Sequence, residues 1–124
     1  MQVRNVHDIQ GYSYGQRQDL LPAVVNAVTD CGGWVLNRKT VSDTTLQFQL
    51  EVELRVIADL YAALIAAGVE LTRSGHEALT EQWTRRNHLR MAAELAQVVS
   101  IRLEISFLDD VTLHSLLAAG SALA

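Results

Sequence analysis

The chain has 124 residues, of which 49% are hydrophobic and 19% charged, a composition typical of one folded domain. Its formal net charge of −4 lacks the basic excess that a nucleic-acid-binding surface requires. The single cysteine, Cys31, excludes an internal disulfide and fits a reducing compartment. No apolar run reaches the roughly 20 residues of a membrane span, and the first ten residues carry no apolar signal segment. We therefore expect a cytoplasmic protein without nucleic-acid or membrane partners.

The first third of the chain predicts a strand, a loop and a helix. Residues 3–9 are a candidate strand, and the glycines and tyrosines of residues 11–16, GYSYGQ, indicate a loop. Asp19 is the expected helix N-cap, and Pro22 then lies in the first turn, where its missing N–H is tolerated. The helix is expected to end at Gly32-Gly33. Its apolar stripe has helical spacing: Leu20, Leu21, Val24, Val25 and Val28.

The next segment predicts an antiparallel hairpin. Residues 34–41 are rich in strand formers, Ser42-Asp43 is a turn, and residues 45–56 alternate between apolar and polar side chains almost without exception. A similar alternation recurs at residues 99–107. The apolar positions are expected to face the helices: Leu46, Phe48, Leu50, Val52, Leu54, Ile101, Leu103 and Ile105. The polar positions Gln47, Gln49, Glu51 and Arg102 are expected to face away from the helices.

Between these two strands, the sequence predicts two helices and a short strand. The first helix begins near Ile57 and ends at Gly68, and residues 69–71 form the strand. Ser74 and Glu77 match the S-x-x-E capping box, which predicts a helix that continues through residues 83–95. Arg85, Arg86 and Arg90 alternate with glutamates on this helix, a pattern typical of a solvated face. After residue 107, Asp109-Asp110 could cap a last helix at residues 111–119.

The predicted order of elements is β-α-β-β-α-β followed by α-β-α. The first six elements match the split βαβ, or ferredoxin-like, arrangement. We therefore predict an α+β fold, in which a ferredoxin-like βαββαβ antiparallel sheet has its helices on one face. Residues 1–124 are expected to form a single domain, with a core at residues 1–73 and an α-β-α extension at residues 74–124 that completes the fold.

Residues 1–73 resemble an ACT domain. The similarity lies in a helix followed by CGGWVLNRKTV, then the strand LQFQLEVEL, then VIADLYAALIAAGVEL. Where ACT domains usually carry D-x-P-G at the end of the first strand, this chain has Asp8-Ile9-Gln10-Gly11. ACT domains typically bind amino acids or other small effectors at domain interfaces, regulate enzymes or transcription, and pair with one another. The resemblance implies a non-catalytic regulatory domain that binds a small ligand or associates with a second copy.

The GYSYGQRQ segment is the best candidate for the ligand site. It precedes a helix N-terminus, whose free amides favour an anion, although an Asp19 cap would compete for those amides. Two glycines permit the backbone to approach a ligand closely, the tyrosines could cover the ligand, and the arginine could pair with it. We predict a small anionic ligand, with an amino acid as one candidate, at Gly11, Tyr12, Tyr14, Gly15 and Arg17. The ACT resemblance adds Gly33 and Trp34 to this site. The alternative is a simple turn with exposed tyrosines.

Other site classes are expected to be absent, and two further functions stay open. None of the four histidines has the spacing of a metal motif, and no phosphate-binding or nucleophile motif occurs, so we predict no metal, cofactor or catalytic residue. Cys31 follows a helix C-terminus, where the helix dipole disfavours a thiolate.

One alternative is a small ferredoxin-like enzyme with His7, His76 or His88 as a general base beside a carboxylate. The other is a purely structural interaction module. Open sheet edges or an open face also predict a homodimer.

Overall fold

A computed structural model of the chain describes residues 6–108. Within this range the chain forms one mixed sheet and four α-helices. The strands are β1 (Val6–Ser13), β2 (Trp34–Ser42), β3 (Thr45–Glu53), β4 (Glu70–Leu71) and β5 (Val98–Phe107). The helices are α1 (Arg17–Asp30), α2 (Ile57–Ala66), α3 (Arg73–Asn87) and α4 (Ala92–Leu95), with a 3-10 turn at Leu54–Val56 before α2. The α+β class predicted from the sequence is confirmed.

The sheet order differs from the predicted one in the position of the last strand. The strands lie in the order β2-β3-β5-β1-β4, so β5 is inserted between β3 and β1. β5 is antiparallel to β3 but parallel to β1, and the sheet is therefore mixed rather than wholly antiparallel. A ferredoxin-like sheet would place β1 directly beside β3. Here the described strands of residues 1–73 form two separate pairs, β2-β3 and β1-β4, which β5 joins into one sheet.

The predicted core face is confirmed for both alternating strands. Phe48 is fully buried, and all eight apolar positions predicted to face the helices are buried. The same hydrophobic cluster contains side chains of three helices, namely Leu20, Val24 and Val28 of α1, Ile57, Leu60 and Leu64 of α2, and Leu79 of α3. These helices therefore pack on one face of the sheet. On the other face Gln47, Gln49 and Arg102 are half-buried, whereas Glu51 is only 4% exposed.

Glu51 therefore lies on the face turned away from the helices, as predicted, but it is buried rather than solvated. Its Oε2 accepts a hydrogen bond of 2.7 Å from Ser100 Oγ on the neighbouring strand, and the two residues are register partners. A buried carboxylate needs such a partner because its desolvation is otherwise expensive.

Two predicted boundaries in the first third are wrong. β1 extends through Ser13, across the first half of the predicted loop, because Gly11 pairs with Leu71 of β4. Helix α1 begins at Arg17, two residues before the predicted N-cap, and its N-cap residue Gln16 makes no side-chain capping bond. Asp19 therefore lies in the first turn, where a negative charge still favours the helix dipole.

The predicted capping box is also wrong. The N-cap of α3 is Thr72, whose Oγ1 accepts a 3.2 Å hydrogen bond from the amide of Gly75. Glu77 pairs instead with Arg73, one turn earlier, at 3.2 Å. The long predicted helix divides into α3 and the short α4. The proposed strand residues 3–5 and the predicted helix at residues 111–119 with its cap lie outside the described residues.

Glycines end α1 and α2 in the same way. Gly32 has φ +80° and Gly68 has φ +100°, the left-handed conformation that favours glycine at the end of a helix. Beyond Gly68, the amide of Val69 donates to the carbonyl of Leu64 at 3.0 Å, which is the six-residue bond of a Schellman motif. This turn sends the chain back to pair with β1 as β4.

Candidate functional site

A cleft of about 600 Å³ lies where β1, the first turn of α1 and the α2–β4 turn meet. The end of β1 contributes one wall, the α1 turn a second and the residues after α2 a third. The lining residues are Tyr12, Ser13, Tyr14, Gly15, Gln16, Asp19, Leu20, Ile65, Ala67, Gly68, Val69, Glu70, Leu71 and His76. The volume is in the range of small-molecule sites.

The first turn of α1 borders this cleft through Gln16, Asp19 and Leu20. Its unpaired backbone donors belong to Arg17 and Gln18, which do not line the cleft. The amides of Asp19 and Leu20 both donate to the carbonyl of Gln16, at 3.1 and 3.0 Å. Within the described residues, the amides of Arg17 and Gln18 have no acceptor. The Asp19 side chain does not cap the helix, so the expected competition for these amides is absent. A carboxylate placed here would be favoured both by the free N–H groups and by the helix dipole.

The other ionisable side chains of the cleft include two carboxylates and an imidazole. Asp19 and Glu70 supply the carboxylates, His76 supplies the imidazole, and no Lys or Arg of the described residues lines the cleft. Tyr12 and Tyr14 pack edge to face with ring centroids 6.2 Å apart, and Tyr14 is largely exposed. A purely anionic ligand would meet repulsion from the two carboxylates, whereas a ligand that also carries a cationic group would not.

Arg17 does not reach into the cleft. Its guanidinium donates to the carbonyl of Asp43 in the β2–β3 turn and lies 5.3 Å from the ring centroid of Phe107. Its Nε is buried and has no hydrogen-bond partner among the described residues. The arginine expected to pair with an anion instead joins α1 to the sheet.

The structure separates two predicted site residues from the other five. Gly33 and Trp34 follow the C-terminal end of α1, whereas Tyr12, Tyr14 and Gly15 line the cleft at its N-terminal end. Gly11 is buried just behind the cleft, where an added Cβ would lie 2.9 Å from the carbonyl oxygen of Glu70. At Gly33 an added Cβ would lie 2.4 Å from Val52 Cγ1. In a single chain, Gly33 is therefore a packing position.

Five polar residues of the cleft were not predicted from the sequence as ligand-site residues, namely Ser13, Gln16, Asp19, Glu70 and His76. Glu70 reaches the cleft because β4 pairs with β1, which sets Glu70 opposite Tyr12. The predicted antiparallel sheet contained a signal for this pairing, since its fourth strand is a neighbour of its first.

His76 is the one histidine of the predicted general-base candidates that lines the cleft. Its Nδ1 is hydrogen-bonded to the hydroxyl of Tyr61 on α2, and the two rings lie 5.5 Å apart. His7 lies within β1, and His88 is the C-cap of α3. A second, apolar groove of about 320 Å³ lies beyond Tyr61, between α2 and α3, and Trp83 forms part of its wall.

Cys31 lies half-buried at the C-terminal end of α1, as predicted. Its pKa is raised by burial first, and then by the negative charges of Asp59 and Asp30. The thiol is therefore protonated over a wider pH range than an exposed cysteine and is a weaker nucleophile.

This pKa shift predicts the direction of a labelling experiment. Replacing Asp59 with asparagine removes a charge that opposes the thiolate, so the pKa of Cys31 should fall and its alkylation by iodoacetamide at pH 8 should become faster. The difference from the wild type should disappear at a pH where both thiols are fully ionised. Asp19→Asn, at the far end of α1, is the matched control. Equal acceleration by both variants would contradict the assigned cause.

No protein-family model, curated protein or solved structure matches the chain. The order of its first elements is compatible with a ferredoxin-like fold, and membership of the ACT family stays a prediction. Among the helices of residues 6–108, none is long and apolar enough to cross a membrane. The same residues bring together no group of three or more His, Cys, Asp or Glu side chains that could hold a metal ion.

Proposed function

We propose that this protein is a non-catalytic binding domain for a small zwitterionic ligand of the amino-acid type, held in the cleft beside α1. The observation that carries the proposal is a cleft that is bordered by the first turn of α1 and carries two carboxylates, those of Asp19 and Glu70. The ligand carboxylate would lie toward the start of α1, where the helix dipole favours an anion, and the ammonium group would lie beside Asp19 or Glu70. The ACT resemblance of residues 1–73 supports the same ligand class, because such domains typically bind amino acids.

The apolar part of the cleft fits the rest of such a ligand. Leu20 and Ile65 line the cleft together with the rings of Tyr12 and Tyr14, so an aliphatic or aromatic side chain would have apolar surface to cover. The exposed Tyr14 ring could close over it. This arrangement replaces the predicted arginine–anion pair with a helix N-terminus for the carboxylate and an acidic wall for the amine.

Calorimetric titration tests the ligand class directly. We expect binding heat from at least one amino acid in a panel of all twenty, and none from the matching carboxylate that lacks the amine. Glu70→Gln should weaken binding by about tenfold or more, because a charge-assisted hydrogen bond contributes about 1.5–3 kcal/mol.

Arg17→Ala is the matched control, since Arg17 contacts Asp43 and Phe107 and not the cleft. Its affinity should stay close to that of the wild type. A larger loss of affinity in Arg17→Ala than in Glu70→Gln would favour the arginine–anion pair predicted from the sequence. It would contradict recognition of the ligand amine by the carboxylates of the cleft. Heat from no panel member would reject the proposed function and favour the structural interaction module.

A small enzyme is the second candidate, because His76 shares the cleft with two carboxylates and has its Nδ1 fixed by Tyr61. Proton NMR of any bound amino acid, followed over hours with the protein, distinguishes the two. Exchange of the Cα proton with solvent deuterium that is lost in His76→Gln would favour the enzyme. An unchanged ligand spectrum would favour binding alone.

A further inference from the structure

The face of the sheet opposite the helices carries no covering layer among the described residues. Its side chains come from the four long strands, and they alternate with the core residues. They are Val6, Asp8, Gln10 and Tyr12 of β1, Val98, Ser100, Arg102, Glu104 and Ser106 of β5, Gln47, Gln49, Glu51 and Glu53 of β3, and Trp34, Asn37 and Lys39 of β2. We call this surface the open face. Parallel strand pairs such as β1–β5 are usually covered on both sides.

One end of the open face carries three exposed apolar side chains. Trp34 is the register partner of Glu51, Glu51 of Ser100, and Ser100 of Val6, so these four residues form one row across the sheet, with the two polar residues in its middle. Val6 is 39% exposed, Trp34 42% and Val98, two residues before Ser100, 47%. Large apolar side chains that are clustered, exposed and bordered by polar groups mark an interaction surface.

The centre of the open face carries both signs of charge. Arg102 pairs with Asp8 on the adjacent strand at 3.2 Å, and Glu104 lies two residues further along β5. A two-fold axis across such a surface can place the arginine of each copy against an acidic side chain of the other, with every contact made twice. The face is therefore complementary in charge to itself.

The size of the open face suits a dimer interface. Four long strands about 4.8 Å apart and about 28 Å long present about 540 Å² on each copy. Two copies would bury about 1,100 Å², which exceeds the roughly 1,000 Å² expected of a biological interface.

The longer edge strand of the sheet is less suited to association. β2 and the two-residue β4 are the two edge strands. β2 is exposed along most of its length, but its pairing with β3 is irregular at two places. It also carries Arg38 and Lys39 in its middle. Bulges and positive charges on an edge strand oppose strand-to-strand pairing with another chain.

We propose that the open face is the interface between two copies of this chain, stacked sheet against sheet around the row that contains Trp34. The open face and the ligand cleft, which lies at the end of the sheet beside α1, share Tyr12, but the proposal does not depend on a ligand in the cleft. A failure of the ligand experiments would leave it unchanged.

The two tryptophans allow a test of whether the open face is the dimer interface. Trp34 lies on the open face, whereas Trp83 is on α3, which packs on the opposite face, and it is 48% exposed. We expect Trp34→Lys to convert a dimer into a folded monomer, as measured by light scattering and far-ultraviolet circular dichroism. The matched variant Trp83→Lys should keep the dimeric mass.

Fluorescence identifies the buried face without a disruptive substitution. In Trp83→Phe, which retains Trp34 alone, the emission should shift to the blue as the protein concentration rises from low to tens of micromolar, in parallel with the mass. In Trp34→Phe, which retains Trp83 alone, the emission should not change with concentration.

Three results would overturn the proposal. The first is a monomeric mass for the wild type at tens of micromolar. The second is dissociation by Trp83→Lys with Trp34→Lys still dimeric, which would assign the interface to the helical side. The third is a blue-shifted Trp34 emission that is independent of concentration in a monomer, which would show that the chain covers its own open face.

Discussion

Phe48→Ala is expected to lower the free energy of unfolding by about 3–5 kcal/mol. Phe48 is fully buried in the middle of β3, between the strand partners Arg38 and Leu103, and it belongs to the cluster that joins the sheet to α1, α2 and α3. Truncation removes the transfer free energy of the ring and leaves a cavity that the three-helix layer can fill only in part. This loss is comparable to a large part of a typical domain's total stability.

Gln47→Ala is the control for this prediction. Gln47 neighbours Phe48 on the same strand but lies on the open face, so its replacement should change the free energy of unfolding by about 0.5 kcal/mol or less. Glu51 would be a poor control because it is buried and bonded to Ser100. Urea unfolding of the three proteins, with equal m-values, gives the comparison. Similar losses for Phe48→Ala and Gln47→Ala would mean that the register of β3 is wrong.

The side on which each residue of β3 and β5 lies could be predicted from the sequence. Successive side chains on a strand point to opposite faces, so the alternation of apolar and polar residues is local information. Phe48 and Leu103 follow this rule. Glu51 is the instructive deviation, since alternation places it on the polar face but does not predict its burial or its hydrogen bond with Ser100.

The position of β5 in the sheet could not be predicted in the same way. The alternation of residues 99–107 identifies a half-buried strand but not its neighbours, because any two strands with matching faces can pair. The insertion between β3 and β1 depends on contacts between residues such as Phe48 and Leu103, which lie far apart in the chain. The predicted ferredoxin-like order is therefore matched only loosely.

The candidate site shows the same division between local and long-range information. Tyr12, Tyr14 and Gly15 were found because they are contiguous in sequence. Gly33 and Trp34 lie beyond the other end of α1, a helix of 14 residues. A rise of about 1.5 Å per residue makes it roughly 21 Å long, which separates the two groups within one chain. Glu70 and His76 enter the cleft only through the pairing of β4 with β1.

Gly33→Ala is expected to destabilise the fold by about 3 kcal/mol, the upper end of the range for overpacking. Gly33 is buried where the chain leaves α1 and enters β2. An added Cβ would lie 2.4 Å from Val52 Cγ1 and 2.8 Å from the carbonyl oxygen of Glu51. Neither neighbour can move cheaply, because Val52 is fully buried and the Glu51 carbonyl belongs to the backbone of a central hairpin. The added methyl group would therefore push the start of β2 away from β3.

The adjacent glycine provides a control that separates crowding from backbone strain. Gly32 has φ +80° and is exposed, and a Cβ added there would have no atom within 4 Å. Gly32→Ala should therefore cost only the strain of a left-handed alanine, about 1 kcal/mol. Urea unfolding should rank Gly33→Ala well below Gly32→Ala in stability, although Gly32 is the residue with the unusual dihedral angle. The reverse ranking would mean that the left-handed conformation at the end of α1, and not the close contact of Gly33 with β3, explains the presence of two glycines here. The direction of the difference therefore decides whether Gly33 is needed for packing in the single chain.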